Sequence, residues 1–269
     1  MLQAPPDGRS MMKKSLIVFS AVFIMAGAAQ ALPSGGAATV NNSNISNVNN
    51  DVENKAANNS SVNSGISGRG SAINDSTINN MNQGVRNNAS GSSKINSGIS
   101  ANGATIRSST LTNSNQRVVN TAAQDSKINS GIMADGAEIT NSKLMLNANI
   151  QVNNLALNDS KINSGIDAEM AELKEANITN INSQVNNIAL DGSKINSGIV
   201  VKDAKVQNST IINTNRNVNN TAVKDSQINS GVSVAGAVVK DAKISNENIK
   251  VDNTATKKST ANSGVDLGE

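Results

Sequence analysis

The chain has 269 residues and a formal net charge of +3, with two aromatic residues, no His and no Cys. The absence of His and Cys excludes Ser-His-Asp and Cys-His nucleophilic sites, the usual zinc sites and a disulfide framework. Beyond Ala31, 20 basic and 19 acidic side chains remain. That balance, without aromatic platforms, gives no signal for nucleic-acid binding.

The N-terminal segment has the pattern of a secretory signal. Lys13 and Lys14 precede an apolar run from Leu16 to Ala29, and Ala29-Gln30-Ala31 is a small-x-small cleavage site. We therefore predict that residues 1–31 are an N-terminal extension plus a signal peptide, and that a secreted, extracellular or cell-surface chain begins at Leu32. The apolar run is too short to predict stable membrane insertion.

Both Phe residues lie inside the predicted signal, at Phe19 and Phe23, so the predicted mature chain has no aromatic side chain. Aromatic residues contribute heavily to ordinary cores and ligand pockets. Their absence from residues 32–269 argues against one conventional globular domain.

One motif recurs seven times between Val52 and Val265: V-x-N-x-A-x-x-x-S-x-[IVA]-N-S-G-[IV]. The spacing is 33 residues except for one step of 34, and a fixed period of this kind is the signature of a repeat architecture. We predict a single repeat domain over 32–269, with units ending near Gly65, Gly98, Gly131, Gly165, Gly198, Gly231 and Gly264.

Within a unit the recurring residues lie two apart, which is the period of a β-strand. In one unit they form the blocks Ala104-x-Ile106-x-x-Ser109-x-Leu111 and Val118-x-Asn120-x-Ala122-x-x-x-Ser126-x-Ile128. In the next unit Leu144 aligns with Leu111. The pattern predicts an all-β, β-solenoid fold without end caps. A helical 33-residue repeat and a disordered Asn/Ser-rich chain are the alternatives.

Stacking successive units places like residues on like residues. We expect structural ladders of amide and hydroxyl side chains at Asn54, Asn87, Asn120, Asn154, Asn187, Asn220 and Asn253, and at Ser60, Ser93, Ser126, Ser160, Ser193, Ser226 and Ser259. We expect a core column at Val52, Val85, Val118, Val152, Val185, Val218 and Val251, and another at Ile95, Ile128, Ile162, Ile195 and Ile228.

Turns are predicted at the Asn-Ser-Gly steps, where Gly65 and its six equivalents would supply a positive φ. The pairs equivalent to Asn113-x-Asn115 lie between the two blocks, and the extra residue of the 34-residue unit falls just before Asn147, which places it in a turn. Ser-x-Leu and Ser-x-Ile recur 17 residues apart, at Ser109 and Ser126. This favours two half-coils per unit over one large coil.

Sites for chemistry are not predicted. Acidic residues recur near one turn at Asp125, Asp159, Asp191 and Asp225, but the final unit has Lys257 and Lys258 there, and the pattern indicates a solvated charged turn rather than a metal site. No unit departs from the repeat to gather catalytic carboxylates. We predict no cofactor, no metal and no enzymatic activity.

The chain resembles the fibre subunits of curli-type bacterial functional amyloids. Those repeats carry N-x-A-x-x-x-Q, and the units here carry Asn120-x-Ala122-x-x-x-Ser126 and its equivalents, with Ser in the Gln place, between about Leu32 and Gly264. The resemblance implies self-assembly into a cross-β extracellular fibre for biofilm matrix or adhesion, a nucleator subunit and an outer-membrane export pore. A non-polymerising β-solenoid adhesin or fibre that binds a receptor or glycan is the alternative.

Overall fold

The computed structural model describes residues 23–25, 39–142 and 144–267. Within these ranges all regular structure is β-strand, and the strands wind into a β-solenoid of seven coils. This confirms the predicted fold class, and no α-helix that the alternative repeat would require occurs in the described ranges. Apart from Phe23–Met25, the predicted signal peptide lies outside the described residues.

Each coil passes through four parallel sheets, which we name A to D. In the third coil, Thr105–Arg107 lies in sheet B, Thr110–Gln116 and Val119–Ala123 lie in sheet A, Lys127–Asn129 lies in sheet C, and Ile132–Met133 lies in sheet D. We number the coils 1 to 7 from 39–67, 72–100, 105–133, 138–167, 172–200, 205–233 and 238–266.

The strands of sheet A are Phe23–Met25, Asn44–Asn50, Glu53–Ala56, Thr77–Gln83, Arg86–Ala89, Thr110–Gln116, Val119–Ala123, Leu144–Ile150, Asn153–Leu157, Asn177–Leu190, Thr210–Val223 and Lys243–Thr256. Those of sheet B are Thr39–Asn41, Ala72–Asn74, Thr105–Arg107, Glu138–Thr140, Glu172–Lys174, Lys205–Gln207 and Val238–Lys240.

Those of sheet C are Ser61–Asn63, Lys94–Asn96, Lys127–Asn129, Lys161–Asn163, Lys194–Asn196, Gln227–Asn229 and Thr260–Asn262. Those of sheet D are Ile66–Ser67, Ile99–Ser100, Ile132–Met133, Ile166–Asp167, Ile199–Val200, Val232–Ser233 and Val265–Asp266. All pairings are parallel except that of Phe23–Met25, which pairs antiparallel with Asn44–Ser46.

One 33-residue unit forms one coil, so the expectation of two half-coils was wrong. Asn120 pairs with Asn87 below and Asn154 above, and Ile128 pairs with Ile95 and Ile162. Residues 17 apart lie on opposite walls of the same coil, as the hydrogen bond from Asn47 to the carbonyl of Ser64 demonstrates. The 17-residue spacing within a unit therefore separates two sides of one coil. Seven coils span about 34 Å at ~4.8 Å per coil.

The kink and the corners of each coil use left-handed backbone. The two halves of sheet A meet at a residue with positive φ in every coil, which is Arg117 in coil 3 (φ 53°), and the next corner has two such residues, Gln124 and Asp125 (φ 56° and 59°). At the corner, Gly, Asn or Asp fills at least one of the two positions in coils 1 to 6, because these residues adopt this conformation at the lowest cost. These corners fix which side chains face the interior.

Apolar side chains fill two separate compartments inside the coil. The larger joins sheets B and D to the first half of sheet A and includes Ile106, Leu111 and Ile132. The smaller joins the second half of sheet A to sheet C and consists of the Ala122 and Ile128 columns. A column of Val stacks at the kink of sheet A, from Val85 to Val218, with Val52 and Val251 partly buried at its ends.

The extra residue of the 34-residue step lies at a corner. The pairing offset is 33 at Arg107–Thr140 and 34 at Thr110–Leu144, so the insertion falls between Thr140 and Leu144. Leu111 pairs with Met145, which is fully buried, so the alignment of Leu144 with Leu111 was wrong. The corner absorbs the insertion before the strand begins, and the inward pattern continues one residue later.

Candidate functional site

Polar side chains occupy the space between the two apolar compartments. Along sheet A the inward positions after Leu111 are Asn113, Asn115, Val118 and Asn120, and the wall opposite them contributes Ser130. In coils 2 to 6 these Asn and Ser residues are at most 2% exposed. We call this stack of Asn and Ser columns the polar spine. Buried amides are stable only when their hydrogen bonds are satisfied, so the spine depends on its internal bonding.

In coils 2 to 4 each Asn of the Asn120 column donates to the Asn of the next coil and to the Ser Oγ of its own coil. In coils 5 and 6 the bond within the coil reverses, because Ser197 Oγ donates to Asn187 Oδ1 and Ser230 Oγ donates to Asn220 Oδ1, both at 2.9 Å. Asn120 Nδ2 donates to Asn154 Oδ1 in the next coil and to Ser130 Oγ in its own coil, both at 2.8 Å. Its Oδ1 accepts from Asn87 Nδ2 at 2.8 Å. One amide thus satisfies three hydrogen bonds, and the ladder has a direction: N–H donors face the C-terminal coils and oxygens face the N-terminal coils.

The Asn113 and Asn115 columns form two further ladders that sequence reasoning placed between strands. Asn113 Nδ2 donates to Asn147 Oδ1 at 2.7 Å and Asn115 Nδ2 donates to Asn149 Oδ1 at 2.8 Å. Both also donate to the carbonyl oxygen of Ser130. The sequence pattern already indicated that these Asn residues face inward, because Leu111-x-Asn113-x-Asn115 continues the two-residue alternation of the strand.

The structure places the Ser column of the predicted ladders at the corner before sheet C. Its rungs join a backbone N–H to a hydroxyl: Ser93 N donates to Ser126 Oγ and Ser126 N donates to Ser160 Oγ, both at 3.2 Å. Ser93, Ser126, Ser160, Ser193 and Ser226 are fully buried. The Ile95, Ile128, Ile162, Ile195 and Ile228 column lies in the smaller apolar compartment, where each is 2% exposed.

The glycine column requires Gly for a different reason from the one the sequence suggested. None of Gly65, Gly98, Gly131, Gly165, Gly198, Gly231 and Gly264 has a positive φ, so that expectation was wrong. A Cβ on Gly131 would instead overlap the backbone carbonyl of Gly165 in the next coil. The coils touch backbone to backbone here, and only a residue without a side chain fits.

The glycine in coil 7 is the exception. A Cβ on Gly264 would meet only Asn262 Oδ1, at 3.6 Å, because no described coil lies above it. A Cβ on Gly231, the preceding glycine of the column, would collide with the backbone of Gly264. Coil 7 therefore presents a flat backbone surface where each earlier coil makes its closest contact with the next.

The two end coils carry complementary unpaired groups within the described part of the chain. In coil 7, Asn246, Asn248 and Asn253 each donate one N–H to Ser263 and have no further acceptor. In coil 1, the oxygens of Asn47, Asn49 and Asn54 receive no donor, although each amide donates normally to coil 2.

A ladder of opposite direction lies in sheet C. Asn129 Nδ2 donates back to Asn96 Oδ1 at 2.8 Å, and the bottom of this ladder, Asn63, has no such acceptor among the described residues. At the top, Asn262 Oδ1 accepts from Gly264 N. Each of the four Asn columns therefore ends in amide N–H donors on one end face and in amide oxygens on the other. Donors of one end face lie at the positions of acceptors on the other.

Apolar positions at the two ends also correspond. The first coil offers Val40, Ile45, Val52, Ala56, Val62 and Ile66, and the last offers Val239, Ile244, Val251, Ala255, Ala261 and Val265 at equivalent positions. Val239 and Val265 are 41% and 44% exposed, although their equivalents in coil 6, Val206 and Val232, are buried. Part of the coil 1 edge is paired with Phe23–Met25.

Two carboxyl groups lie close together at the corner between sheets D and B. Burial, together with the nearby charges of Asp135 and Glu169, raises the pKa of Asp167 to about 7. Burial also raises the pKa of Asp135. One oxygen of each Asp is buried without a hydrogen-bond partner among the described residues. Sequence reasoning missed this pair because acidic residues occur at each of these positions in only two of the seven coils.

Within the described ranges there is no group of three or more His, Cys, Asp or Glu residues placed to hold a metal ion. The same ranges contain no helix long and apolar enough to span a membrane. The Asp residues at positions 125, 159, 191 and 225 lie at exposed or half-buried corners, where Asp191 forms an ion pair with Lys224 at 2.8 Å.

No protein-family profile and no curated protein matches the chain. The solved structures that match the chain include two at 11% identity. One is HetL, a pentapeptide repeat protein involved in heterocyst differentiation regulation from the cyanobacterium Nostoc, which covers 73% of this chain and 86% of its own with a TM-score of 0.15. The other is QnrB1, a plasmid-mediated fluoroquinolone resistance protein, which covers 71% and 91% with a TM-score of 0.15. At that TM-score the likeness carries no argument, and the fold rests on the strand pairing above.

Proposed function

We propose that this protein is a secreted structural subunit that stacks end to end into a cross-β extracellular fibre, for biofilm matrix or surface adhesion. The observation that carries the proposal is the complementarity of the two end coils. A second copy placed above coil 7 receives the free N–H groups of Asn246, Asn248 and Asn253 on the oxygens of its Asn47, Asn49 and Asn54. The joint reproduces the contact between any two successive coils.

Apolar stacking supports the same arrangement. Ile244 would lie beneath Ile45 of the next copy and Val251 beneath Val52, which continues the buried columns across the joint. A heterologous contact that continues along the solenoid axis does not close into a ring, so repeated addition gives an open filament. The coil 7 edge, where Asn248 and Asn253 are exposed, is a template for such addition. The resemblance to curli-type subunits adds a nucleator and an outer-membrane export pore as proposed partners.

Signal cleavage fits the proposal because it would clear the coil 1 edge. Phe23–Met25 pairs with Asn44–Ser46 on that edge. Cleavage after Ala31, which the sequence predicts, removes this strand. We therefore expect the chain from Leu32, which contains all seven coils, to assemble at micromolar concentration, and the full 269-residue chain to assemble more slowly.

Gly264→Ala gives a sharp test. The isolated chain has room for a Cβ on residue 264. In a head-to-tail stack this Cβ would collide with the backbone of Gly65 of the next copy, just as a Cβ on Gly231 would collide with the backbone of Gly264. We expect wild-type Leu32–Glu269 to form unbranched filaments with a meridional reflection at ~4.8 Å. The Gly264→Ala chain should keep its strand content and stay soluble.

Gly68→Ala is the matched control. Gly68 has ordinary space for a Cβ, 3.7 Å from Ile73 Cδ1, and Ala101 is its equivalent one coil later, directly after coil 2. This variant should form filaments like the wild type. A wild-type chain that stays soluble and monomeric for days, or a Gly264→Ala chain that polymerises normally, would contradict end-to-end stacking. The first result would favour the non-polymerising adhesin.

A further inference from the structure

The outer surface of sheet A changes character along the solenoid. In coils 4 and 5 its outward positions carry large aliphatic side chains, and we define these as the apolar face: Ile150, Leu155, Leu157, Ile181, Ile188 and Leu190. Ile150 and Ile181 are 41% and 38% exposed. The face lies on the opposite side of the sheet from the polar spine, so it has no role in the interior.

Stacking between coils makes these side chains one continuous surface. Leu155 pairs with Ile188 and Leu157 with Leu190 in adjacent strands, and Ile181 lies above Ala148. The two halves of sheet A run together as single strands in coils 5 and 6, Asn177–Leu190 and Thr210–Val223. The surface is therefore broad as well as apolar.

Charge is absent from the centre of this surface and present at its ends. The strands of coils 4 and 5 in sheet A contain no charged residue. Coil 1 carries the ion pair of Glu53 and Lys55, and coil 7 carries Lys243, Glu247 and Asp252. The fold does not need aliphatic residues at these outward positions, because other coils place Lys, Asn and Thr there.

The size of the surface matches a protein–protein interface. Fourteen residues per strand at about 3.3 Å and four coils at about 4.8 Å give a flat area of about 900 Å² per copy. The apolar face of coils 4 and 5 forms the centre of this area, and coils 3 and 6 form a more polar rim that includes the exposed Arg117 and Arg216. A standard interface takes about 800 Å² from each partner, and its centre is depleted in charge. Sheets pack face to face when aliphatic residues of the two surfaces interdigitate at a spacing of about 10 Å.

We propose that the apolar face is a lateral self-association surface, through which two copies of this chain pack sheet A against sheet A. A second copy is the partner that fits because the same neutral, aliphatic centre is available on it in the same dimensions, and an isologous contact uses one patch twice. Pairing goes beyond end-to-end stacking and is independent of it. In a fibre it would join two protofilaments side by side.

Mass per length measured on unstained filaments tests the proposal. Wild-type Leu32–Glu269 should contain two chains per about 34 Å of length, the rise of seven coils. The double variant Ile150→Lys and Ile181→Lys places cations in the centre of the contact and should yield filaments with one chain per about 34 Å. Its interior is unchanged because both side chains point outward.

Thr105→Lys with Gln227→Lys is the matched control, since it adds the same charge on the outer surfaces of sheets B and C. It should keep two chains per repeat. Wild-type filaments with one chain per repeat, or paired filaments in the Ile150→Lys, Ile181→Lys variant, would overturn the proposal.

Sedimentation of the Gly264→Ala chain separates lateral pairing from end-to-end stacking. With stacking blocked, this chain should form a dimer at micromolar concentration, and adding the two lysines at 150 and 181 should weaken the dimer by at least about 100-fold. A monomeric Gly264→Ala chain would contradict lateral pairing and leave stacking intact. If the wild-type chain forms no filaments but the dimer is still weakened by the two lysines, the result would contradict end-to-end stacking and support lateral pairing through the apolar face.

Discussion

The inward and outward columns of sheet A differ in how freely the residue changes from coil to coil. The inward Asn120 column is Asn in all seven coils. The adjacent outward column varies: Lys55, Asn88, Thr121, Leu155, Ile188, Thr221 and Thr254. An inward residue must match the residues directly above and below it, whereas an outward residue meets solvent. The identity of each inward column is therefore set by its own stack, and the outward columns remain available for surface properties.

The largest effect is expected where the inward contact is backbone to backbone. Gly131→Ala places a Cβ against the carbonyl of Gly165, and the backbone cannot rotate away as a side chain can. We expect the free energy of unfolding to fall by about 4 kcal/mol, within the range of severe packing defects. Urea denaturation followed by circular dichroism measures this, since the chain from Leu32 has no Trp or Tyr. Gly68→Ala should change it by less than about 0.5 kcal/mol.

A single rung of the polar spine should have the next largest effect. Asn120→Ala leaves the amide of Asn87, the oxygen of Asn154 and the hydroxyl of Ser130 each short of one partner. At about 1–3 kcal/mol per unsatisfied buried group, with partial relief by water, we expect a loss of about 3 kcal/mol. The outward neighbour gives the contrast: Thr121→Ala should cost less than about 0.5 kcal/mol. Equal losses in the two variants would refute the distinction between inward and outward columns.

How much the sequence predicts follows from the same distinction. The two-residue alternation and the 33-residue period specify the β-solenoid. The recurrence of identical residues also identifies the Val118, Asn120 and Ile128 columns, which are inward positions in the structure. The number of coils per unit was misjudged because Ser109 and Ser126 lie at two corners of the same coil, where each Oγ accepts the backbone N–H of the equivalent Ser one coil earlier. A repeated motif does not state whether its copies stack or face each other.

Other errors have local causes. Gly131 sits in an Asn-Ser-Gly step that reads as a turn, and only the distance between coils reveals that the missing Cβ is the reason for Gly. Met145 replaces Leu144 in the core because the inserted residue is absorbed at the corner. Asn113 looked like a turn residue by type, although its position in the alternation placed it inside. In each of these cases the type of residue suggested the wrong structural role, because the role was determined by the spacing between coils or by the strand register.

The smallest effect we predict depends on pH and concerns Asp167, a half-buried residue of sheet D beside the inward Ile166. The pKa of Asp167 is raised from 3.8 to about 7 by burial and by the charges of Asp135 and Glu169. The folded state therefore holds a proton that the unfolded state releases above about pH 4, so stability is greatest below that pH and falls as pH rises towards 7.

Asp167→Asn removes the charge while keeping the shape of the side chain. We expect it to flatten the dependence of unfolding free energy on pH between 4 and 7, and to stabilise the chain at pH 8 by on the order of 2 kcal/mol, at about 1.4 kcal/mol per unit of pKa shift discounted for partial exposure. Denaturation at pH 4, 6 and 8 measures this, with Asp125→Asn at an exposed corner as the control. If Asp167→Asn leaves the slope unchanged, the proton does not reside at this corner. If the slope disappears, protonation is what allows a carboxyl group in a column that carries Ser, Met or Val in coils 1 to 3, 5 and 6.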